Sequence, residues 1–137
     1  MTAWLKVIGT SKWPLRDDWG THAPPLLRSA SFGKKPGKGS FVPGDDFVYY
    51  ALRGDLSRVV AIGKVVGPHR FDQSRVVDPG WPWLADVEIH AKRDRIQDGF
   101  ALDLLDVDRA LRRSVTQKSH IRLTASEFER ARDLFGT

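Results

Sequence analysis

A chain of 137 residues with a hydrophobic share of 41% and a charged share of 28% has the composition of a folded domain, which argues against a disordered or membrane-embedded protein. The absence of cysteine excludes disulfides, thiolate nucleophiles and cysteine-based zinc sites. A formal net charge of +5 favours a polyanionic partner, because Lys and Arg release counterions from phosphates on binding. The apolar runs are shorter than the roughly 20 residues of a membrane span. We therefore expect one domain over residues 1–137, without a signal peptide and cytoplasmic.

The first strand and a long loop make up the N-terminal part. The segment Trp4–Ile8 is apolar apart from Lys6 and predicts a strand that ends at Gly9–Ser11. Residues 12–42 have no sustained periodicity and contain several prolines and glycines, so we expect a long ordered loop. Long loops in compact domains are commonly functional.

Two segments rich in β-branched and aromatic residues follow, Phe47–Leu52 and Ser57–Val66. The short Arg-Gly-Asp turn between them predicts a hairpin. Gly63 interrupts the second strand and is expected at a bulge or tight bend, of the kind that lets a small barrel close.

The second half contains fewer regular signals. Residues 67–82 are expected to be irregular, and the alternation in Leu84–His90 predicts a half-buried strand. Apolar residues from Leu102 onward suggest a short helix that runs to about Arg113. A last short strand is predicted at Ser119–Leu123, where polar and apolar residues alternate.

The clearest local signal is the start of a C-terminal helix. Thr124 and Glu127 have the spacing of a capping box, an apolar stripe follows, and Gly136 is a suitable stop. About five short strands, a long first loop and a helix at one end predict a small β-barrel of the α+β class. The alternative is an open α+β sheet.

No catalytic constellation is visible in the sequence. The four histidines are too scattered for a metal site on one element, and no histidine accompanies a plausible nucleophile. Paired aspartates fit turns and a helix start. We therefore expect a protein that is not an enzyme and that needs neither a metal nor another cofactor.

Tryptophans outside regular structure are the most informative feature. Trp19, Trp81 and Trp83 lie beside Gly or Pro in segments that we expect to be irregular. One interpretation is that each folds back and covers the barrel core. The other is that two of them sandwich a planar base, as in proteins that flip bases or bind single strands. Neighbouring basic residues, which can hold phosphates, favour the second; they are Lys34, Lys35, Lys38 and Arg122.

Several segments, in order along the chain, resemble the EVE domain of the PUA-like superfamily. They are Trp4–Val7, Trp19–Thr21, Pro43–Tyr50, Val60–Val66, Trp81–Glu88 and Gln117–Phe128. The resemblance implies a PUA-like β-barrel of about five to six strands with a few short helices. It also implies an aromatic cage for a modified, for example methylated, base in DNA or RNA.

The same resemblance suggests particular site residues. The segment from Trp19 to Pro24 resembles the Trp-Ser-Thr-x-Pro segment of the related YTH domains, which implies that Trp19 is a cage tryptophan. By the same resemblance, Ser11 and Thr21 are expected to make polar contacts to the base. Either Trp81 or Trp83 is expected to form the second wall of the aromatic cage. The predicted nucleobase-binding residues are Trp19, Gly20, Thr21, Ser11, Trp81, Trp83 and Tyr50.

Two other functions are weighed against this one. The first is a small ribonuclease of the related ASCH type, for which Lys34, Tyr50 and Arg122 are candidate residues. The second is a protein-interaction module that uses the Trp-rich loops, and its binding would be insensitive to salt.

Overall fold

The computed structural model describes residues 2–9, 14–32, 35, 37, 39–53, 56–72, 82–105 and 120–136. Within these ranges one sheet has the strand order β2-β5-β4-β3-β1-β6. The strands are β1 Ala3–Ile8, β2 Ser29–Phe32, β3 Asp46–Ala51, β4 Arg58–Phe71, β5 Trp83–Lys92 and β6 His120–Leu123. The helices are α1 Trp19–His22 and α2 Ala125–Phe135, with 3-10 turns at Pro24–Leu27, Ile96–Asp98 and Leu102–Leu105. None of the helices in the described ranges is long and apolar enough to cross a membrane.

The sheet curls into a half-barrel that is apolar on both faces. Strand β1 shows this best, since all of its residues are buried. Trp4 and Ile8 point into the barrel interior, whereas Leu5 and Val7 point outward, into a second core beneath α2. Because successive side chains of a strand alternate between faces, Lys6 lies on the interior face with Trp4.

Gly63 provides a bend that curls the sheet. The pairing of β4 with β5 shifts register between Ile62 and Gly63. A Cβ atom at Gly63 would lie 2.1 Å from the carbonyl oxygen of Glu88, so the backbone there approaches too closely for any side chain. The predicted bulge is confirmed.

The two edge strands approach each other through their side chains. Strands β2 and β6 lie at opposite ends of the strand order. Phe32 of β2 and His120 of β6 nevertheless meet edge to face, with ring centroids 5.2 Å apart. We call the place where β2 and β6 approach each other the seam of the half-barrel, and side chains bridge it. The predicted small α+β barrel is confirmed.

Several predicted elements are also confirmed. The first strand, the β3–β4 hairpin, the strand at β5 and the last strand form as expected. In α2, the Thr124 hydroxyl accepts from the Glu127 amide at 3.1 Å and the Glu127 carboxylate accepts from the Thr124 amide at 2.7 Å. Gly136 ends the helix with a φ of 76°, in the left-handed region.

Three predictions about irregular segments are corrected. The expected loop at 12–42 contains α1, a 3-10 turn and β2, each four residues long and so too short to show periodicity. Strand β4 runs five residues beyond the predicted Val66, because pairing with β5 resumes at His69 after a register shift. The expected helix from Leu102 is a 3-10 turn as far as Leu105, and its predicted remainder lies outside the described residues.

Candidate nucleic-acid interface

The interior face of the half-barrel contains an aromatic cluster around Phe32. This ring contacts Phe41, His69 and His120 with centroid distances of 5.3, 5.2 and 5.2 Å, each pair close to perpendicular. Edge-to-face packing is favourable because the positive ring edge meets the negative ring face. We call the cluster formed by these four rings and Lys6 the trough.

Lys6 is the most unusual residue of the trough. Its side chain is only 1% exposed, and its ammonium donates to the carbonyl oxygen of Val7 at 2.8 Å. The same nitrogen lies 4.9 Å from the Phe32 ring centroid, in cation–π geometry. Burial lowers the pKa of Lys6 to about 7, because a charged amine loses its hydration inside the protein.

Both histidines of the trough favour the neutral form. Burial, with smaller effects from the charges of Lys6 and His69, lowers the pKa of His120 to about 4. Burial and then the charge of Lys35 lower the pKa of His69. A neutral imidazole offers one donor and one acceptor. His120 Nε2 lies 2.5 Å from the hydroxyl oxygen of Ser40, which fixes the ring at the seam.

One polar atom of the trough has no hydrogen-bond partner among the described residues. This atom is Nε2 of His69, which is buried from solvent. The Ser31 hydroxyl is also buried without a described partner, but alternation along β2 places it on the face opposite Phe32. Buried polar atoms are rarely left unsatisfied, so His69 Nε2 is available to a ligand or a water.

The trough is continuous with an exposed aromatic surface on the same sheet. Trp83 of β5 pairs with Phe32 on one side and with Phe71 on the other, so three aromatic side chains form a row across the sheet. Exposure rises along this row, from 1% at Phe32 to 58% at Phe71. The Phe71 and Trp83 rings are 5.5 Å apart, and the Lys35 ammonium lies 5.6 Å from the Trp83 ring centroid. We call Lys35, Phe71 and Trp83 the mouth.

Arg122 adds a second exposed cation near the trough. It lies opposite Trp4 in the pairing of β1 with β6, and its guanidinium carbon is 5.6 Å from the Trp4 ring centroid. Trp4 in turn contacts His120 at 5.3 Å, and its indole N–H donates to the Asp45 carboxylate at 3.0 Å. Arg122 therefore lies on the trough side of the seam, as a phosphate contact requires.

Trp19 lies in the protein core, as in the first of the two interpretations of these tryptophans, and not in the exposed cage that the resemblance implies. It lies in α1, is 0% exposed, and donates its indole N–H to the Arg93 carbonyl oxygen at 2.8 Å. Its ring meets Tyr49 edge to face at 6.0 Å. In this structure Trp19 is a core residue with no ring face open to a ligand, because α1 folds back over the barrel. Its neighbour Gly20 packs against Leu27, and Thr21 is exposed.

The other predicted site residues divide into two groups. Tyr50 packs with the second core beneath α2, on the sheet face opposite the trough, so the structure does not bring it together with Trp83 or Lys35. Ser11, Trp81, Lys34 and Lys38 lie outside the described residues. Of the predicted set, the structure brings Trp83 and Lys35 together and places Arg122 near the trough.

Residues that the sequence reasoning did not select form the whole of the trough. They are Lys6, Phe32, Phe41, His69 and His120. Lys6 could have been identified from the sequence, because a lysine within an otherwise apolar strand that is buried on both faces has to point into a core. The others come from separate segments, and only the curl of the sheet brings them together. In the described part of the chain, no group of His, Asp and Glu is arranged to hold a metal ion.

A separate surface cleft of about 690 Å³ is lined by residues 14–18, Arg53 and Arg95. Asp17 lies in it between two arginines, at 3.0 Å from Arg53 and 2.5 Å from Arg95. The Gln97 amide donates to the same carboxylate at 3.0 Å. This network joins the segment before α1 to the ends of β3 and β5, so we assign it a structural role.

The fold is shared with solved structures at low sequence identity. The chain superposes on human THYN1, solved in complex with DNA containing 5-methylcytosine, with a TM-score of 0.58, 13% identity and coverage of 100% of this chain and 99% of that one. A hypothetical protein from Leishmania major gives a TM-score of 0.59 at 17% identity, with 99% and 95% coverage. A Rhodopseudomonas palustris protein gives 0.59 at 16%, with 99% and 94% coverage.

These likenesses establish the fold. Identities of this size carry no information on ligand or activity. No protein-family model matches the chain, and no curated protein matches it.

Proposed function

We propose that this chain is a non-catalytic nucleic-acid-binding domain of the EVE type, which holds a modified nucleobase at the mouth of the trough. The observation that carries the proposal is the row Phe32–Trp83–Phe71, which runs from the buried interior to an exposed ring beside the Lys35 ammonium. A base is planar and apolar on its faces, so it stacks on such rings whatever its sequence context.

Charge supports the same partner. Lys35 at the mouth and Arg122 at the seam are both exposed and both lie over aromatic rings. Cations in these positions can bind the phosphates that flank an extruded base, while the rings hold the base itself. The net charge of +5 adds a long-range attraction to nucleic acid.

The assignment to the EVE type is supported by sequence and fold together. The resemblance in segments extends along the chain in order, and the fold is shared with human THYN1, which was solved with DNA containing 5-methylcytosine. A modification that adds apolar surface to a base gains free energy from an aromatic surface, at about 25 cal/mol per Å² buried.

The ribonuclease alternative finds no support in the geometry of its described candidates. Tyr50 lies beneath α2, whereas Arg122 lies on the trough side of the seam. Catalytic groups have to meet within hydrogen-bonding reach of one reacting bond, and these two lie on opposite faces of the sheet. Lys34 lies outside the described residues.

The test is a binding titration, by fluorescence anisotropy, of oligonucleotides that differ in one central base: cytosine, 5-methylcytosine or an abasic site. We expect the abasic oligonucleotide to bind most weakly, and higher salt to weaken all three. Trp83→Ala is expected to remove most of the preference for a base, since one stacking contact is worth about 1–3 kcal/mol.

Lys92→Ala is the matched control. Lys92 ends the same strand at the opposite end from Trp83 and is paired with the exposed Asp94, so its loss should leave base preference unchanged. Salt-insensitive binding, or no binding to any oligonucleotide, would contradict the proposal. Cleavage of labelled RNA by the purified protein would favour the ribonuclease instead.

A further inference from the structure

Three arginines and two aspartates line the surface cleft that lies apart from the trough and the mouth. They are Arg16, Arg53, Arg95, Asp17 and Asp18, so the cleft walls carry one more positive than negative charge. With a volume of about 690 Å³, the cleft has room for a solvated ionic group. Stacking of a base at the mouth makes no use of these charges, so they need a reason of their own.

Asp17 holds two of the arginines in place. Its carboxylate accepts from Arg53 Nη1 at 3.0 Å and from Arg95 Nε at 2.5 Å. With its side-chain oxygen turned towards Arg95, Gln97 accepts from both terminal nitrogens of that arginine, at 3.0 and 3.1 Å. All three nitrogens of Arg95 therefore have partners, and we assign Arg95 a positioning role beside Asp17.

Arg53 and Arg16 keep donors for a ligand. Among the described residues, the Arg53 guanidinium donates only to Asp17, which uses one of its several N–H groups. Arg16 forms an ion pair with Asp18 at 3.5 Å, without a described hydrogen bond, and 68% of its side chain is exposed. An arginine presents its donors in a flat fork that matches the oxygens of a phosphate. The cleft therefore offers two guanidinium groups to a phosphate.

The cleft and the mouth lie at different ends of the same strands. Arg95 follows the last residue of β5, whereas Trp83 is the first. Ala51 ends β3 shortly before Arg53 and pairs with the start of β4, whereas Phe71 ends β4. The ten residues of β5 span about 30 Å. One strand of a duplex advances about 3.4 Å per nucleotide, so about nine nucleotides cover that distance.

We propose that the cleft binds a phosphate of the nucleic-acid backbone, about nine nucleotides along the strand from the base at the mouth. Arg16 and Arg53 contact the phosphate oxygens, and Asp17 and Arg95 hold Arg53 and its surroundings in place. A phosphodiester carries one negative charge, which balances the excess positive charge of the cleft walls. The proposal rests on the proposed function for the position of the base and adds a contact that the mouth does not provide.

The experiment measures how affinity depends on oligonucleotide length. Each single strand carries one 5-methylcytosine, either in the middle of about five nucleotides or near one end of about sixteen, so that only the long strand reaches the cleft. The long strand is made with the base near its 5′ end and near its 3′ end, which also reports the strand direction. Arg16→Gln should weaken binding of one long strand about threefold and lower its salt slope by about 0.7. Binding of the short strand should stay unchanged.

Two further variants make the result specific to the cleft. Arg132→Gln removes the same charge from α2, where Arg132 is paired with Glu129, and should leave the length dependence unchanged. Asp18→Asn removes the acid beside Arg16 and should tighten binding of the same long strand about threefold. The Asp18 side chain makes no capping hydrogen bond to α1, so this change should not disturb the helix. A gain in affinity cannot result from misfolding.

The outcomes separate the two proposals. If Arg16→Gln and Asp18→Asn change neither strand, or change long and short strands alike, the phosphate contact is overturned, while weaker binding of both strands by Trp83→Ala leaves base binding intact. Inorganic phosphate alone is the second probe, followed by calorimetry. If it binds wild type but not Arg16→Gln, and strand length has no effect, the cleft is a site for free phosphate and the backbone contact is overturned. If no strand binds, the proposed function fails and the phosphate contact fails with it.

Discussion

Two tryptophans that look alike in the sequence occupy opposite kinds of site. Trp19 is completely buried, and its indole N–H is bonded to the Arg93 carbonyl oxygen. Trp83 is partly exposed, with Phe71 beside it and the Lys35 ammonium over its ring. Both are large rings beside Gly or Pro. Whether such a ring is core or binding surface depends on what the rest of the chain places over it.

The cover over Trp19 is a short folded segment. The α1 helix and the 3-10 turn at Pro24–Leu27 close that end, and the Tyr49 hydroxyl donates to the Leu26 carbonyl oxygen at 2.9 Å. Among the described residues, no comparable segment covers Phe71, which keeps 58% of its surface exposed. The half-barrel therefore has a sealed end at Trp19 and an open end at Trp83.

The largest expected effect is on stability at the sealed end. Trp19→Ala should lower the free energy of unfolding by about 3–5 kcal/mol, because it removes a buried ring and leaves a cavity. Denaturant unfolding followed by circular dichroism measures the change. Trp83→Ala is the matched variant and should cost less than about 1.5 kcal/mol, since its ring is partly solvated already. Equal losses would show that the two ends do not differ.

The second-largest expected effect is the pH dependence of stability caused by Lys6. The pKa of Lys6 falls from 10.5 in the unfolded chain to about 7 in the folded protein. Between those values the unfolded chain binds more protons, so wild-type stability should rise as pH increases through this window. Lys6→Met removes the penalty of burying the amine. It should stabilise the fold by a few kcal/mol below the folded pKa, because each tenfold change in proton affinity corresponds to about 1.4 kcal/mol.

The measurement is denaturant unfolding of wild type and Lys6→Met across that pH range. The difference between them should be greatest below the folded pKa and disappear near the unfolded one. A variant that is less stable than wild type at every pH would show that the Lys6 side chain stabilises the fold, and would contradict this prediction. Lys92→Met, an exposed lysine, should show no such dependence.

The smallest expected effect is at the cover of the sealed end. Tyr49→Phe removes the hydroxyl that donates to the Leu26 carbonyl and should cost about 0.5–1.5 kcal/mol. Base binding at the open end should stay unchanged. Amide hydrogen exchange should speed up at α1 and the following 3-10 turn before other segments. If Tyr49→Phe weakened base binding without faster amide exchange at α1 and the following turn, the sealed end and the open end would be coupled, which would contradict this prediction.

Local signals predicted the regular elements well because each is specified by a few neighbouring residues. The capping box at Thr124 and Glu127, the bend at Gly63 and the strand around Lys6 are examples. Short elements were missed where four residues form a strand or turn, as in Ser29–Phe32. Such short elements form through pairing with distant parts of the chain, so the local sequence has no periodicity that would predict them.

The site was predictable only in part, for the same reason. Trp83, Lys35 and Arg122 are identifiable by residue type, and each lies in or near the proposed interface. His69 and His120 carry no such signal, because their spacing along the chain does not fit a metal site. They are 51 positions apart in the sequence and meet around Phe32 only after the sheet curls.

The most direct test of the central claim is a titration followed by the indole N–H resonances in a nitrogen–proton NMR spectrum. The probe is the oligonucleotide with one modified central base, and substitution of each tryptophan by phenylalanine assigns the signals. We predict that the Trp83 resonance shifts on binding while the Trp19 resonance, held by the Arg93 carbonyl, stays in place. A shift at Trp19 with none at Trp83 would contradict the account and place the base at the end that this structure seals.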